Sequence, residues 1–215
     1  MLGSFREPPR QAKRSVPEED RLLIENIVKH MERYWENGRV PTAELACHAV
    51  YDYSFFMIQR RSRFMREALE GRMLTDLGAG NPESMAYLAS EYDASEYVGV
   101  DRYHDYSKNG LCDIAGVTLV NRDMLLHLAD RPDDSTNVSM LAIDDAVLRG
   151  PLACIEDAYV DLLVMQIARV VPPGGVAFGV MSPLLHQLSG WGFERVKETD
   201  CAHITVMEQL YRKPG

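Results

Sequence analysis

Asp76-Leu77-Gly78-Ala79-Gly80 is the stretch that decides the fold. Met73 and Leu74 lead into it as a short apolar run, the run ends in an acid, and two glycines spaced by one residue precede a predicted helix. Glycine carries no Cβ, so a strand that stops this way leaves backbone N–H groups open to something flat, polar or charged. Many nucleotide and nucleoside cofactors bind α/β proteins at such a turn.

Downstream of this turn, strand-like and helix-like segments alternate. Strands are predicted at Met73–Leu77, Tyr97–Asp101, Val117–Asn121, Val138–Asp144 and Val176–Met181. Helices are predicted at Pro82–Glu91, Tyr103–Asn109, Met124–Ala129 and Pro151–Val171. The alternation predicts a doubly wound α/β fold, a mostly parallel sheet with helices on both faces. The ending differs. Phe193–Glu198 and His203–Arg212 read as strands separated only by Thr199-Asp200-Cys201-Ala202. No crossover helix fits in that gap, so the two pair antiparallel.

Upstream, residues 1–14 carry Pro8-Pro9 and scattered charges without an apolar period, the pattern of a flexible arm. Ser15-Val16-Pro17-Glu18 reads as a capping box with proline in the first helical turn. Leu23, Ile24, Ile27, Val28, Met31, Tyr34 and Trp35 follow at helical spacing, and Asn37-Gly38 stops the helix. A second helical stretch begins near Pro41-Thr42 and reaches Leu69, with Gly71 as its stop. The division is therefore an arm at 1–14, a helical lid or extension at 15–71 and a sheet domain at 72–215.

Composition narrows the class. A chain of 215 residues suits one domain of ordinary size, and its net charge of −9 argues against a general nucleic-acid grip. No apolar run approaches the roughly 20 residues that span a bilayer. The N-terminus lacks the apolar segment of a secretory signal, so a cytoplasmic location is the default. Cys47, Cys112, Cys154 and Cys201 are isolated and read as buried thiols, not as a metal site or a disulfide framework.

Open parallel sheets bind ligands at the carboxyl ends of their strands. The first predicted strand ends in Asp76 and the glycine turn. The second ends in Asp101, whose two oxygens can accept both hydroxyls of a ribose. The third ends in Asn121-Arg122-Asp123-Met124, where a carboxylate can accept from an adenine amine and a methionine can pack on the base. The fourth ends in Asp144-Asp145. One acid at a strand end is ordinary; acids at successive strand ends form a pattern.

At these residues the chain resembles the class I S-adenosylmethionine-dependent methyltransferases. Asp76–Gly80 matches the glycine loop, Asp101 the ribose acid and Asp123-Met124 the adenine-side pair. Val170-Val171-Pro172-Pro173-Gly174-Gly175 matches the turn before the fifth strand. The resemblance covers roughly residues 72–212 and implies a Rossmann-like sheet of seven strands with the last antiparallel. It also implies S-adenosyl-L-methionine as the cofactor, held by Asp76, Gly78, Gly80, Asp101, Arg102, Asp123, Met124 and Asp144. One departure is Pro82, which stands where the family often has a third glycine.

The main rival is a dinucleotide-binding dehydrogenase. Its G-x-G-x-x-G fingerprint would need glycine where Glu83 stands. A glutamate there sets a second anion at the helix end that would receive the pyrophosphate. S-adenosylmethionine carries no phosphate and tolerates it. A P-loop is excluded, because no G-x-x-x-x-G-K-[ST] occurs.

Methyl transfer from a sulfonium mainly requires the acceptor to be held in line with the leaving sulfur, so no fixed catalytic residue is demanded. Asp144 or Asp145 can position an amine or take a proton, or else only support the donor and cap the next segment. The Asn/Asp-Pro-Pro-Tyr signature of amino-methyltransferases is absent, and further ligands for a metal at this pair are not evident. His48, His104 and His127 are candidate bases or packing residues. Tyr51 and Tyr53 precede a cluster of Arg60, Arg61, Arg63 and Arg66 that continues to Arg72. This segment reads as part of a lid over the cofactor cleft, as ordinary core with a solvated face, or as an RNA contact. The expectation is a small-molecule acceptor methylated at N or O, with an RNA methyltransferase and a non-catalytic binding relative as the alternatives.

Overall fold

In the computed structural model the described residues are 16–37, 62–80, 82–102, 106, 113–141, 153–180, 182–196 and 208–215. The elements, in chain order, are α1 (Glu18–Asn37), α2 (Ser62–Leu69), β1 (Met73–Leu77), α3 (Glu83–Glu91), β2 (Glu96–Asp101) and β3 (Val117–Asn121). They continue with α4 (Met124–Ala129), β4 (Asn137–Leu141), α5 (Ala153–Val170), β5 (Val176–Val180), a 3₁₀ helix (Pro183–Trp191), β6 (Glu194–Arg195) and β7 (Glu208–Arg212). The 3₁₀ helix carries no glycine- or proline-free apolar period of helical length, and the sequence reading missed it.

The sheet has seven strands in the order β3-β2-β1-β4-β5-β7-β6. β1 runs parallel to β2 and β4, β2 to β3, and β4 to β5, whereas β7 runs antiparallel to both β5 and β6. The terminal hairpin expected from the short 199–202 gap is therefore present. One edge strand, β6, is only two residues long and exposes Glu194 and Arg195, which discourages pairing with another chain.

Each face of the sheet buries its own core. On one face, Ile24 and Val28 of α1, Leu125 and Leu128 of α4, and Tyr159, Leu163 and Ile167 of α5 cover Leu77, Val98, Val100, Val138 and Met140. On the other, Leu69 of α2 and Met85, Leu88 and Ala89 of α3 cover Leu74, Tyr97, Val176 and Phe178. The split follows from strand alternation: Leu74 and Leu77 differ by an odd number of positions and point to opposite faces. α1 and α2 thus belong to the two cores of the sheet domain. The arm at 1–14, Ser15 of the expected capping box and the segment 38–61 lie outside the described residues, as do Cys47, Cys112 and Cys201.

Local chemistry fixes the element ends. The first turn of α1 carries Glu18, Glu19 and Asp20, which suit the positive end of the helix. Gly71 stops α2 at φ +66°, its N–H donating to the Asp93 carbonyl at 2.8 Å. Lys213 Nζ, beyond β7, donates to the carbonyls of Ala168 and Val171 at 3.0 and 2.7 Å and so closes the C-terminus of α5. Asn137 ties three elements together: its Nδ2 donates to the Ala68 carbonyl at 3.1 Å and the Met73 carbonyl at 3.3 Å, and its Oδ1 accepts from Val176 N–H at 2.8 Å. Among the described residues no helix is long and apolar enough to cross a membrane.

Candidate cofactor site

The strand order places the site. From β1 the chain moves to β2 on one side, and from β4 it moves to β5 on the other. The connections diverge between β1 and β4, which opens a crevice at the carboxyl ends of these strands. The glycine turn follows β1 at that crevice. Gly78 and Gly80 both take left-handed backbone, with φ +69° and +48°. Side-chain-bearing residues adopt this region rarely, so the turn requires its glycines.

All three N–H groups of the turn are engaged within the protein. Those of Gly78 and Ala79 donate to the Val100 carbonyl at 2.8 and 3.0 Å. That of Gly80 donates to Asp101 Oδ2 at 3.1 Å. The turn is therefore laced to the end of β2, and the lacing orients the Asp101 carboxylate beside it. The Tyr106 hydroxyl, from the segment after β2, donates to the Gly80 carbonyl at 3.2 Å. Burial, then the charges of Asp101 and Asp76, push the Tyr106 phenol far above its ordinary value, so it stays a donor. Tyr106 was not singled out in the sequence; a tyrosine in a polar segment carries no periodic signal.

Asp76 lies beneath the turn and has no exposed surface. Ser139 Oγ donates to its Oδ1 at 2.7 Å and the Tyr97 hydroxyl to its Oδ2 at 2.9 Å. Burial raises the carboxyl to about 7, against the opposing hydrogen bonds from Ser139 and Tyr97 and with a smaller upward push from Asp101. Asp76 thus joins β1, β2 and β4 beneath the glycine turn. Gly99, paired with Asp76 across β1 and β2, makes room for this. A Cβ there would lie 2.9 Å from Leu119 Cδ2 and 3.2 Å from the Tyr97 hydroxyl.

Asp123 is the N-cap of α4. Its Oδ1 accepts from the N–H groups of Leu125 and Leu126 at 2.9 and 3.2 Å, and its Oδ2 accepts from the buried Tyr159 hydroxyl at 3.0 Å. Arg102 Nη1 faces the same Oδ2 at 3.7 Å, an ion pair without a direct hydrogen bond. A carboxylate offers about four acceptor positions, so the protein itself fills most of them. Burial raises this carboxyl, opposed by the Leu126 N–H, Tyr159 and Arg102. Asp123 and Arg102 therefore lie together at the end of β3 and β2, with Met124, the half-buried first residue of α4, beside them. Asp144, Asp145, His48 and His104 lie outside the described residues.

His127 takes the packing side of its two readings. It is buried in the last turn of α4, and its Nε2 accepts from Arg131 Nε at 3.2 Å. Burial, then Arg131 and Arg122, pull the imidazole down to about 4, so it is neutral at ordinary pH with its lone pair occupied. Of the arginine segment, Arg60 and Arg61 lie outside the described residues and Arg63 lies in α2. Arg66 pairs with Asp93 at 3.2 Å, with its guanidinium 5.9 Å from the Tyr92 ring centre. Pro82 precedes α3 as its N-cap, without a side-chain hydrogen bond, and Glu83 is the first residue of the helix.

No family model and no curated protein matches the chain. Solved structures do. One is a Burkholderia thailandensis 1,6-didemethyltoxoflavin-N1-methyltransferase with bound 1,6-didemethyltoxoflavin and S-adenosylhomocysteine. It is 15% identical with a TM-score of 0.51, over 96% of this chain and 94% of that one. Another comes from a complex between the Haloferax volcanii Trm112 methyltransferase activator and a candidate methyltransferase. It is 13% identical with a TM-score of 0.52, over 83% of this chain and 100% of that one. With the strand order and the glycine turn, these likenesses show that the chain has the class I S-adenosylmethionine-dependent methyltransferase fold.

Proposed function

We propose that the chain is an S-adenosylmethionine-dependent methyltransferase that carries a methyl group to an N or O atom of a small-molecule acceptor. One observation carries the choice of cofactor. A loop that binds a pyrophosphate presents free N–H groups to it. Here the N–H groups of Gly78, Ala79 and Gly80 are all engaged internally, and an acid, Asp101, stands at the same place. A dinucleotide would meet a carboxylate instead of donors. A nucleoside without phosphates, bearing a ribose diol and a cationic sulfonium, meets the chemistry that is present.

Asp101 would accept the ribose hydroxyls, with its orientation set by Gly80. The absence of Cβ atoms at Gly78 and Gly80 would let the methionine portion lie close to the backbone. Arg102 and Met124 would border the base, with Asp123 holding Arg102 in place. Asp144 is proposed for the methionine end of the donor. When bound, the donor supplies an electrophilic methyl group. The work left to the chain is to hold the acceptor in line and exclude water, so a dedicated base is not required.

Three observations favour a small molecule over RNA. The chain carries a net charge of −9, and Arg66 of the arginine segment is engaged with Asp93. The Burkholderia thailandensis structure, solved with bound 1,6-didemethyltoxoflavin, also aligns over 96% of this chain. A lid role for the region before β1 is proposed for residues 38–61 only, because α1 and α2 are built into the cores. Incubation with methyl-labelled donor and separated small-molecule and RNA fractions of a cell extract tests the acceptor class. Label in the small-molecule fraction is expected; label confined to RNA would contradict it.

A further inference from the structure

We propose that Tyr106 is a positioning residue for the donor: together with Asp101 it clamps Gly80 from both sides and so fixes the carboxylate that meets the ribose. The inference rests on the donor assignment above. The two peptide groups that flank Gly80 Cα are each held by a side chain from the end of β2 or beyond it. Asp101 Oδ2 takes the Gly80 N–H at 3.1 Å, and the Tyr106 hydroxyl gives its proton to the Gly80 carbonyl at 3.2 Å. Rotation of either peptide away from the left-handed φ of +48° breaks one of these bonds. The clamp therefore couples two conformations, that of the turn and that of the carboxylate.

Tyr106 is suited to this role and to no proton transfer. It is 5% exposed, and two carboxylates lie near enough to disfavour its ionisation. A phenol in this setting stays protonated and donates over the whole working range of pH. Among the described residues, Asp101 on β2, Asp76 on β1 and the Gly80 carbonyl bear on it, and none of the three favours the phenolate. A Phe ring would fill the same volume and donate nothing, so the substitution isolates the hydroxyl.

The test compares wild type with Tyr106→Phe in the full chain by two readouts. The first is hydrogen exchange of the Gly80 amide in the unliganded protein, and the second is S-adenosylhomocysteine affinity by calorimetry. Loss of one neutral hydrogen bond predicts about tenfold faster exchange at Gly80 and about three- to tenfold weaker binding, with the circular dichroism spectrum unchanged. Unchanged Gly80 exchange would overturn the clamp. Faster exchange with unchanged affinity would reduce Tyr106 to a structural contact and overturn the positioning role. Tighter binding would overturn it too, by showing that the hydroxyl obstructs the site. If wild type itself fails to bind S-adenosylhomocysteine, the donor assignment falls and the positioning role with it, while Gly80 exchange still decides whether the clamp exists.

Discussion

The Tyr97 hydroxyl donates to Asp76 Oδ2 at 2.9 Å, at a point where Asp76 is 0% and Tyr97 2% exposed. This contact joins β1 to β2 directly beneath the glycine turn, and it gives the fold a pH signature. Folded Asp76 keeps its proton to about 7, whereas an unfolded aspartate releases it near about 4. Between those values the folded state binds more protons. The contribution of Asp76 to stability is thus full below the unfolded value and is lost as pH rises through about 7. His127 has the opposite sign. Its contribution is present above the ordinary imidazole value and is lost as pH falls through about 4. In chemical denaturation, Asp76→Asn should therefore gain stability relative to wild type as pH rises from about 4 to about 7. Over the same rise, from about 4 to the ordinary imidazole value of about 6.5, His127→Gln should lose stability relative to wild type, because wild type regains the contribution of its neutral imidazole. Curves parallel to wild type would contradict both assignments.

Asp123 should behave as a cap before it behaves as a ligand residue. Asp123→Ala removes the acceptor for Leu125 and Leu126 and the carboxylate to which the buried Tyr159 hydroxyl donates. The expected loss is about 2–4 kcal/mol in urea unfolding. Asp123→Asn keeps the cap and should lose less than half of that. If the carboxylate is chiefly structural, the Asn variant binds S-adenosylhomocysteine within about threefold of wild type. A much larger loss would give Asp123 a direct contact with the base.

Gly179 separates β5 from β4 where no side chain fits. A Cβ at Gly179 would overlap the Met140 carbonyl oxygen, an atom of the neighbouring strand that cannot step aside. Gly179→Ala should destabilise the fold by about 1–3 kcal/mol or more. Gly190, whose Cβ would meet nothing within 4 Å, is the control and should change stability by less than about 0.5 kcal/mol as Gly190→Ala. Equal effects at the two positions would contradict the packing of β4 on β5.

Much of the fold was legible because its signals are local. β1, β3 and α4 lie where the apolar runs and turn residues placed them, and the gap at 199–202 alone forced the antiparallel end. The glycine turn and Asp101 were legible for the same reason: both sit at strand ends. What escaped were relationships across the sheet. Asp76, Tyr97 and Ser139 meet only because β1, β2 and β4 are neighbours in one register, and register leaves no mark in a single strand. Asn137 stands just before the strand predicted at Val138–Asp144, yet it bonds three elements. Whether His127 served as a base or as packing was open in the sequence, and one turn of helix after Asp123 carries it into the core. Tyr106 belongs to a polar connection whose pairing with Gly80 spans 26 positions.

The central claim is that Asp101, held by the Gly80 N–H at 3.1 Å, receives the ribose of a phosphate-free nucleoside donor. Calorimetric titration of wild type and Asp101→Ala with S-adenosylhomocysteine, and of wild type with a nicotinamide dinucleotide, tests it most directly. The predicted result is binding of S-adenosylhomocysteine by wild type, a loss of about a hundredfold or more in Asp101→Ala as two charge-assisted hydrogen bonds disappear, and no dinucleotide binding. Unchanged S-adenosylhomocysteine affinity in Asp101→Ala, or dinucleotide binding by wild type, would contradict the account.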